Sequence, residues 1–387
     1  MQTIQLIKPL EKVIRAGHPW IFRNALSPFN ATAGEVVTVT DRSGRFLCRG
    51  LADEGPIGVR VFTTVDIPVD EQLFAARILK AIKFRESIRP HKTTALRLIH
   101  GEGDLLPGLV LDQYGAYAVL AFDGQSLYPW QDRISSILKS ELAARSIKTV
   151  LLRERKRHDK TIVVLFGELP VEPVLVYEHG MKLWVDLMHG QKTGMFLDHR
   201  DSRYTVRQLA RNKRVLNLYG YTGGFSIAAG LGGAAMVTTV DVAPGAIALA
   251  QKNWIENGLN PSTHTAIAVD VETFMKKPSV QTYDLIIADP PSFAPNKKSL
   301  PGALKAYQML HASVFRRIKS NGVYISASCS SHIRADVFKN ILHQSALQSG
   351  ATIRIANSWG AAADHPVLKG FPEGEYLKVF LVEVQKR

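Results

Sequence analysis

Cysteine is nearly absent from this chain: two in 387 residues, Cys48 and Cys329. That excludes a disulfide framework and a tetrahedral thiolate metal site. None of the twelve histidines recurs at His-x-x-x-His or similar ligand spacing, so no metal is expected. No apolar run approaches the roughly 20 residues that would span a bilayer. The opening MQTIQLIKPL has no apolar stretch followed by a small-residue cleavage site, so no signal peptide is expected and the protein is placed in the cytosol. Acidic residues are also scarce, 34 against 48 Lys and Arg, which leaves a formal charge of +14. A basic balance of this size points toward a polyanionic partner such as nucleic acid, with electrostatics supplying affinity but no sequence readout, or else to an evenly spread basic surface that only aids solubility.

What is present divides along the chain, whose length predicts two or three domains. Residues 1–67 alternate short β patterns with turns (VVTVT, RFLCRG, VRVFTT), as in a small barrel. Cys48 falls in one of these strands, where a small buried residue is expected. Residues 68–96 read as a linker helix with Asp70 as N-cap and Leu73, Ile78, Ile82 and Phe84 on one face. Residues 97–188 read as a small α+β domain, with a charged hairpin tip at 153–160 that could touch RNA. From 189 to 387 buried-type strands at 215–219, 236–241, 266–270, 284–289 and 322–328 alternate with helical segments such as 246–258 and 303–318. That alternation predicts a doubly wound, Rossmann-like α/β domain with a parallel sheet.

The dinucleotide fingerprint Gly-x-Gly-x-x-Gly is missing from that domain. In its place the first strand runs into Gly220-Tyr221-Thr222-Gly223-Gly224, a turn that lets backbone approach a ligand. Asp241 ends the second strand, 24 residues after Asn217, where an acid can accept from both ribose hydroxyls. Asp270 ends the third strand and could hold an adenine amino group. Asp289-Pro290-Pro291 ends the fourth. This order of acids is that of an S-adenosylmethionine site; taken singly, Asp241 or Asp270 could instead merely cap the next helix.

About forty residues beyond Asp289 stands Ser328-Cys329-Ser330, at the end of another strand. Strand carboxyl ends in an open α/β sheet face one crevice, so the acid and the thiol are expected to share a pocket. Together they suit methylation of cytosine C5. Cys329 would add to C6 and make C5 nucleophilic, Asp289 would hydrogen-bond N3, and the prolines would stiffen the turn. Phe293 could stack on a flipped base or simply pack in the core.

With these residues in hand the chain resembles the bacterial ribosomal large subunit methyltransferase I family, over essentially its whole length. HPWIF (18–22) is similar to the start of that family's N-terminal PUA domain. GEGDLLPGLVLDQYG (101–115) resembles the opening of its central domain and GQKTGMFLDHR (190–200) the entry to its methyltransferase domain; LNLYGYTGGFS, DPPSFA and SCS follow in order. The resemblance implies a 5-methylcytosine enzyme acting on 23S rRNA with S-adenosylmethionine. It implies a cofactor pocket formed by Tyr219, Gly220, Tyr221, Thr222, Gly223, Asp241, Asp270 and Asp289 with Gln191 and Lys192 near it, and Cys329 as nucleophile. Pro290 and Phe293 are assigned to the substrate side. The chain departs from the family at Gly220, where serine or cysteine is usual, and at Met195 and His199, where Phe and Gln are common. Its barrel region GLADEGPIGVRV also lacks the family's usual tyrosine-asparagine-proline-like stretch. Two other readings stay open: methylation of a ring or exocyclic nitrogen of an RNA base, and a non-catalytic RNA-binding ribosome-assembly factor. No membrane partner is expected, and a homodimer stays open.

Overall fold

The computed structural model describes residues 1–156, 159–171, 173–278, 280–294 and 296–386. The chain forms two compact units. One comprises Met1–Tyr177, Val185–Leu197 and Ala363–Gly374, the other Glu178–Trp184, Asp198–Ala362 and Glu375–Arg387.

The first unit opens with a five-stranded sheet in the spatial order Gln2–Gln5, Val36–Thr40, Phe46–Ala52, Ile57–Thr63, Trp20–Phe22. Period-2 alternation buries Val37 and Val39 on one face of their strand, beside Ile4, Cys48 and Val59. Burial pushes the Cys48 thiol up to about 12, so it stays protonated. The helix Glu71–Ile88 is capped as expected, Asp70 accepting from the Leu73 N–H at 3.0 Å. Its buried face is Phe74, Ile78, Ala81, Ile82 and Arg85, whereas Phe84 is 43% exposed, contrary to the expectation from sequence. Phe74 shares the i, i+4, i+8 row with Ile78 and Ile82; Phe84 lies about 200° around the helix from Ile82.

A second sheet in this unit has the order Asp159–Phe166, Thr149–Lys156, Tyr117–Phe122, Leu109–Tyr114, Ala95–His100. Tyr117–Phe122 and Thr149–Lys156 pair in parallel, which requires a crossover, and Gln131–Ala143 supplies it by packing Ile134, Leu138 and Leu142 inward. Of the charged tip at 153–160, Arg157 and His158 lie outside the described residues. Arg153 is not at a solvated tip: it is buried and donates to the carbonyls of Gly190 (2.6 Å) and Lys192 (2.5 Å). Arg85, wholly buried, donates to both carboxylate oxygens of Asp104 at 2.6 and 2.7 Å and to the Asp364 carbonyl at 2.9 Å.

The second unit is built on a seven-stranded sheet, in the order His264–Ala268, Met236–Asp241, Arg214–Leu218, Tyr283–Ala288, Ile318–Ser328, Lys378–Lys386, Ala351–Trp359. The first five are mutually parallel; Lys378–Lys386 pairs antiparallel with both Ile318–Ser328 and Ala351–Trp359, and these last two strands extend the sheet beyond the five read from sequence. Both faces of the parallel strands are covered. Leu216, Leu218, Ile286 and Tyr324 pack under Met275, Tyr307, Val314 and Phe338 of the helices Val271–Lys276, Leu300–Arg317 and Ala335–Gln348. Val215, Leu285, Ile287 and Ile325 pack under Val206, Phe225 and Trp254 of Arg200–Leu209, Gly224–Leu231 and Pro244–Glu256. Burying each large side chain here contributes about 1.5–3 kcal/mol. The strand order reverses on either side of Arg214–Leu218, which opens a crevice at the carboxyl edge of the sheet. Among the described residues no helix is long and apolar enough to cross a membrane, and no cluster of His, Cys, Asp or Glu could hold a metal ion.

Candidate active site

The loop after Arg214–Leu218 is shaped by backbone that few side chains accept. Tyr219 and Tyr221 have φ of 58° and 45°, and Gly223 has φ of 82°. A Cβ on Gly220 would come within 2.5 Å of Thr239 Cγ2, and one on Gly223 within 2.8 Å of Ala250 Cβ, so neither position has room for a side chain. Asp241 fixes the loop through backbone groups: its Oδ2 accepts from Tyr221 N–H at 2.8 Å and its Oδ1 from Ala243 N–H at 2.9 Å. Each carboxylate oxygen keeps a second lone pair, so ribose hydroxyls can still be accepted there.

Asp270 lies two residues beyond its strand, which ends at Ala268, and caps the helix Val271–Lys276 by accepting from Thr273 N–H at 2.9 Å. Its side chain remains exposed, and its charge adds to burial in raising the Tyr219 hydroxyl, which places acid and ring in one electrostatic environment. Beneath the loop, Asn217 Nδ2 donates to Ser226 Oγ at 2.9 Å while its buried Oδ1 has no hydrogen-bond partner. A glycine cradle with no space for Cβ atoms, left-handed backbone and two carboxylates at successive strand ends fit a nucleoside-bearing cofactor.

Asp289 and Cys329 emerge from neighbouring strands at the same edge. Ala288 lies opposite Ser326 in the parallel register, so Asp289 is the first residue past its strand's paired end and Cys329 follows closely on the partner strand. Asp289 is partly exposed, its carboxylate 3.1 Å from Nε2 of His199, which is buried. Nδ1 of His199 is 3.3 Å from Ser202 Oγ, which accepts from the Trp359 indole N–H at 2.9 Å. The Ser202 hydroxyl can donate to Nδ1 while its oxygen accepts from the indole, and a carboxylate at Asp289 can only accept. Nε2 then carries the ring's N–H toward Asp289.

Polar groups converge around Cys329 from other elements. The Tyr307 hydroxyl donates to Ser328 Oγ at 2.9 Å, and Ser292 and Ser330 hydroxyls are 3.1 Å apart. Burial raises the Tyr307 hydroxyl; Ser328 and Ser330 counter the rise, and Cys329 and Asp289 add to it. Lys378 Nζ donates to the Ser330 carbonyl at 2.7 Å. Phe293, half-buried, meets the Tyr307 ring edge-on at 4.8 Å between centroids, and Pro290 is buried.

The second unit thus brings Tyr219, Gly220, Tyr221, Thr222, Gly223, Asp241, Asp270, Asp289 and Cys329 to one sheet edge. Gln191 and Lys192 belong to the first unit, where the Lys192 ammonium sits 4.5 Å from the Phe196 ring centroid. His199, Tyr307 and Lys378 were not among the residues expected from sequence. Of these only His199 left a trace, as a departure from the family's usual residue.

Comparison with known proteins identifies the family. The S-adenosylmethionine-dependent methyltransferase family matches residues 134–327, and the PUA-like domain family matches residues 4–64. "Ribosomal RNA large subunit methyltransferase I" of Shigella boydii serotype 4 (strain Sb227) is 34% identical over 389 aligned residues, covering 98% of each chain. The protein of the same name from Escherichia coli O139:H28 (strain E24377A / ETEC) shows the same identity and coverage. A crystal structure of a methyltransferase complexed with SAH superposes with a TM-score of 0.89 at 26% identity, covering 99% of this chain and 100% of that one. The chain therefore belongs to the ribosomal RNA large subunit methyltransferase I family, joining a PUA-like domain to a Rossmann-like, S-adenosylmethionine-dependent methyltransferase domain.

Proposed function

We propose that this protein methylates C5 of a cytosine in large-subunit ribosomal RNA, 23S in the bacterial case, through a covalent bond between Cys329 and C6 of the ring. The observation that carries the reading is the shared exit of Asp289 and Cys329 from paired strands, beside a loop that fits S-adenosylmethionine. The PUA-like domain, the +14 charge and the names of the relatives support RNA as the substrate.

Bound at the Tyr219–Gly223 loop and Asp241, S-adenosylmethionine supplies an electrophilic methyl carbon. The chain's own residues make the acceptor. C5 of cytosine is a poor nucleophile; addition of the Cys329 thiolate to C6 breaks the C5–C6 double bond and shifts its electron pair toward C5. A proton or hydrogen bond on N3 eases that addition, and Asp289 is the group to provide it. His199 holds one oxygen of the Asp289 carboxyl, and the other oxygen, when it carries the proton, donates to N3 of the base. After C5 takes the methyl group, a solvent water takes the C5 proton, the double bond is restored, the thiolate is expelled and N3 returns its proton to Asp289, so every bond made to the enzyme is broken again.

Cys329→Ala tests the reading. Methylation should fall by on the order of a thousandfold or more while S-adenosylmethionine affinity stays intact. Mapping 5-methylcytosine in rRNA from cells with wild-type, variant or no protein gives both the product and the nucleotide. Full methylation by Cys329→Ala would overturn the covalent step and favour methylation of a base nitrogen instead.

A further inference from the structure

We propose that Lys378 is a positioning residue for the thiol, its ammonium holding Cys329 in the thiolate form from the adjacent antiparallel strand. This deepens the covalent reading above and rests on it. Lys378 lies directly opposite Ser328 in the register between Ile318–Ser328 and Lys378–Lys386, one residue before the cysteine. Its Nζ is tethered to the Ser330 carbonyl at 2.7 Å, one residue after the cysteine. The backbone register and the side-chain tether of Lys378 thus fall on the residues either side of Cys329.

Burial pulls Lys378 down to about 8, and Cys329 opposes that fall, as two groups within electrostatic reach must. At neutral pH the lysine remains charged, and a cation beside a thiol stabilises the thiolate. The other titratable groups named at this edge are Tyr307, Asp289 and His199. Tyr307 and Asp289 are neutral or negative, and the imidazole N–H of His199 is directed at Asp289. The tether also explains how a flexible side chain is kept at one place: the carbonyl fixes one N–H direction and leaves two free.

Thiol alkylation reads this directly, because the only other cysteine, Cys48, is fully buried and pushed up to about 12. Iodoacetamide modification of Cys329 is followed by mass spectrometry across pH on the full-length protein without RNA. The midpoint of the rate profile reports ionisation and the high-pH plateau reports access. Lys378→Met should raise the midpoint by about one pH unit, an approximately tenfold slower reaction at pH 7, with the plateau unchanged. Lys378→Arg, which keeps the charge, should return the midpoint toward wild type.

An unmoved midpoint in Lys378→Met overturns the proposal. So does a lowered plateau without a midpoint shift, which would assign Lys378 only to holding the Ser330 loop. The assay contains no substrate. Failure of the covalent reading would therefore appear separately, as a shifted midpoint in a protein whose Cys329→Ala variant still methylates RNA.

Discussion

At the scale of single residues, Asp289 and Cys329 stood out as candidate acid and nucleophile because each ends a recognisable apolar strand. Asp289 follows IIA and Cys329 follows VYISAS. Their supporting groups did not. His199 sits in the short turn Leu197–His199, ninety positions from the carboxylate it donates to, and no local periodicity links the two. Lys378 lies in a strand that sequence reading did not include. Asp289→Asn, which cannot give a proton to N3 as a carboxylic acid can, should lower turnover by about 10²- to 10⁴-fold. RNA affinity measured by filter binding should change little; near-normal turnover would remove Asp289 from the chemistry. His199→Ala should cost turnover about tenfold by freeing the Asp289 carboxylate, and His199→Gln, which restores a side-chain N–H donor, should recover most of the loss. Equal loss in both variants would mean that imidazole itself is needed.

At the scale of elements, five parallel strands were read correctly from buried apolar runs, with boundaries within a few residues. Asp270 shows the error that matters. Its strand ends at Ala268, so the acid caps the following helix, the alternative that the sequence left open. The strands Ala351–Trp359 and Lys378–Lys386 escaped notice because the first is an edge strand whose buried and exposed residues alternate imperfectly and read as loop.

Gly223→Ala tests the loop. The new Cβ would lie 2.8 Å from Ala250 Cβ and from Ile227 Cδ1, at a φ of 82°. It should cost about 1–3 kcal/mol of stability and weaken S-adenosylmethionine binding in calorimetry; unchanged binding would show that the loop does not hold the cofactor. Asp284 ties two central strands, accepting from Arg214 N–H at 2.8 Å and from Lys319 Nζ at 2.7 Å. Burial raises its carboxyl, but these two partners outweigh burial and leave it below the usual range. A lowered folded-state value means the contribution is present at neutral pH and lost as pH falls through the carboxylate range. Asp284→Asn should therefore be less stable than wild type by about 0.5 kcal/mol in urea melts at pH 7 and nearly equal to it at pH 3. A difference that persists at pH 3 would contradict the assignment.

At the scale of the whole molecule, composition pointed toward a polyanionic partner without separating it from a solubilising charge, and the order of motifs indicated the family. Hidden from sequence was the return of Ala363–Gly374 to the first unit. There Asp364 accepts from the backbone of Arg97, 267 positions earlier in the chain. Contacts at such separation have no signature in local pattern, because the partners are chosen by the fold and not by spacing. The +14 charge makes a global prediction: RNA affinity should fall more than about a hundredfold between 50 and 200 mM salt if the basic surface neutralises several phosphates. A flat salt response would reassign that charge to solubility.

The central claim is a bond between Cys329 and a cytosine ring, and the most direct measurement is mass spectrometry of the protein after incubation with S-adenosylmethionine and large-subunit rRNA carrying 5-fluorocytosine. Fluorine on C5 cannot leave as a proton does, so elimination is blocked once the methyl group has been accepted. The account predicts a stable protein–RNA adduct that maps to Cys329 and is absent from Cys329→Ala. Methylated RNA released without any adduct, or an adduct that survives Cys329→Ala, would contradict it.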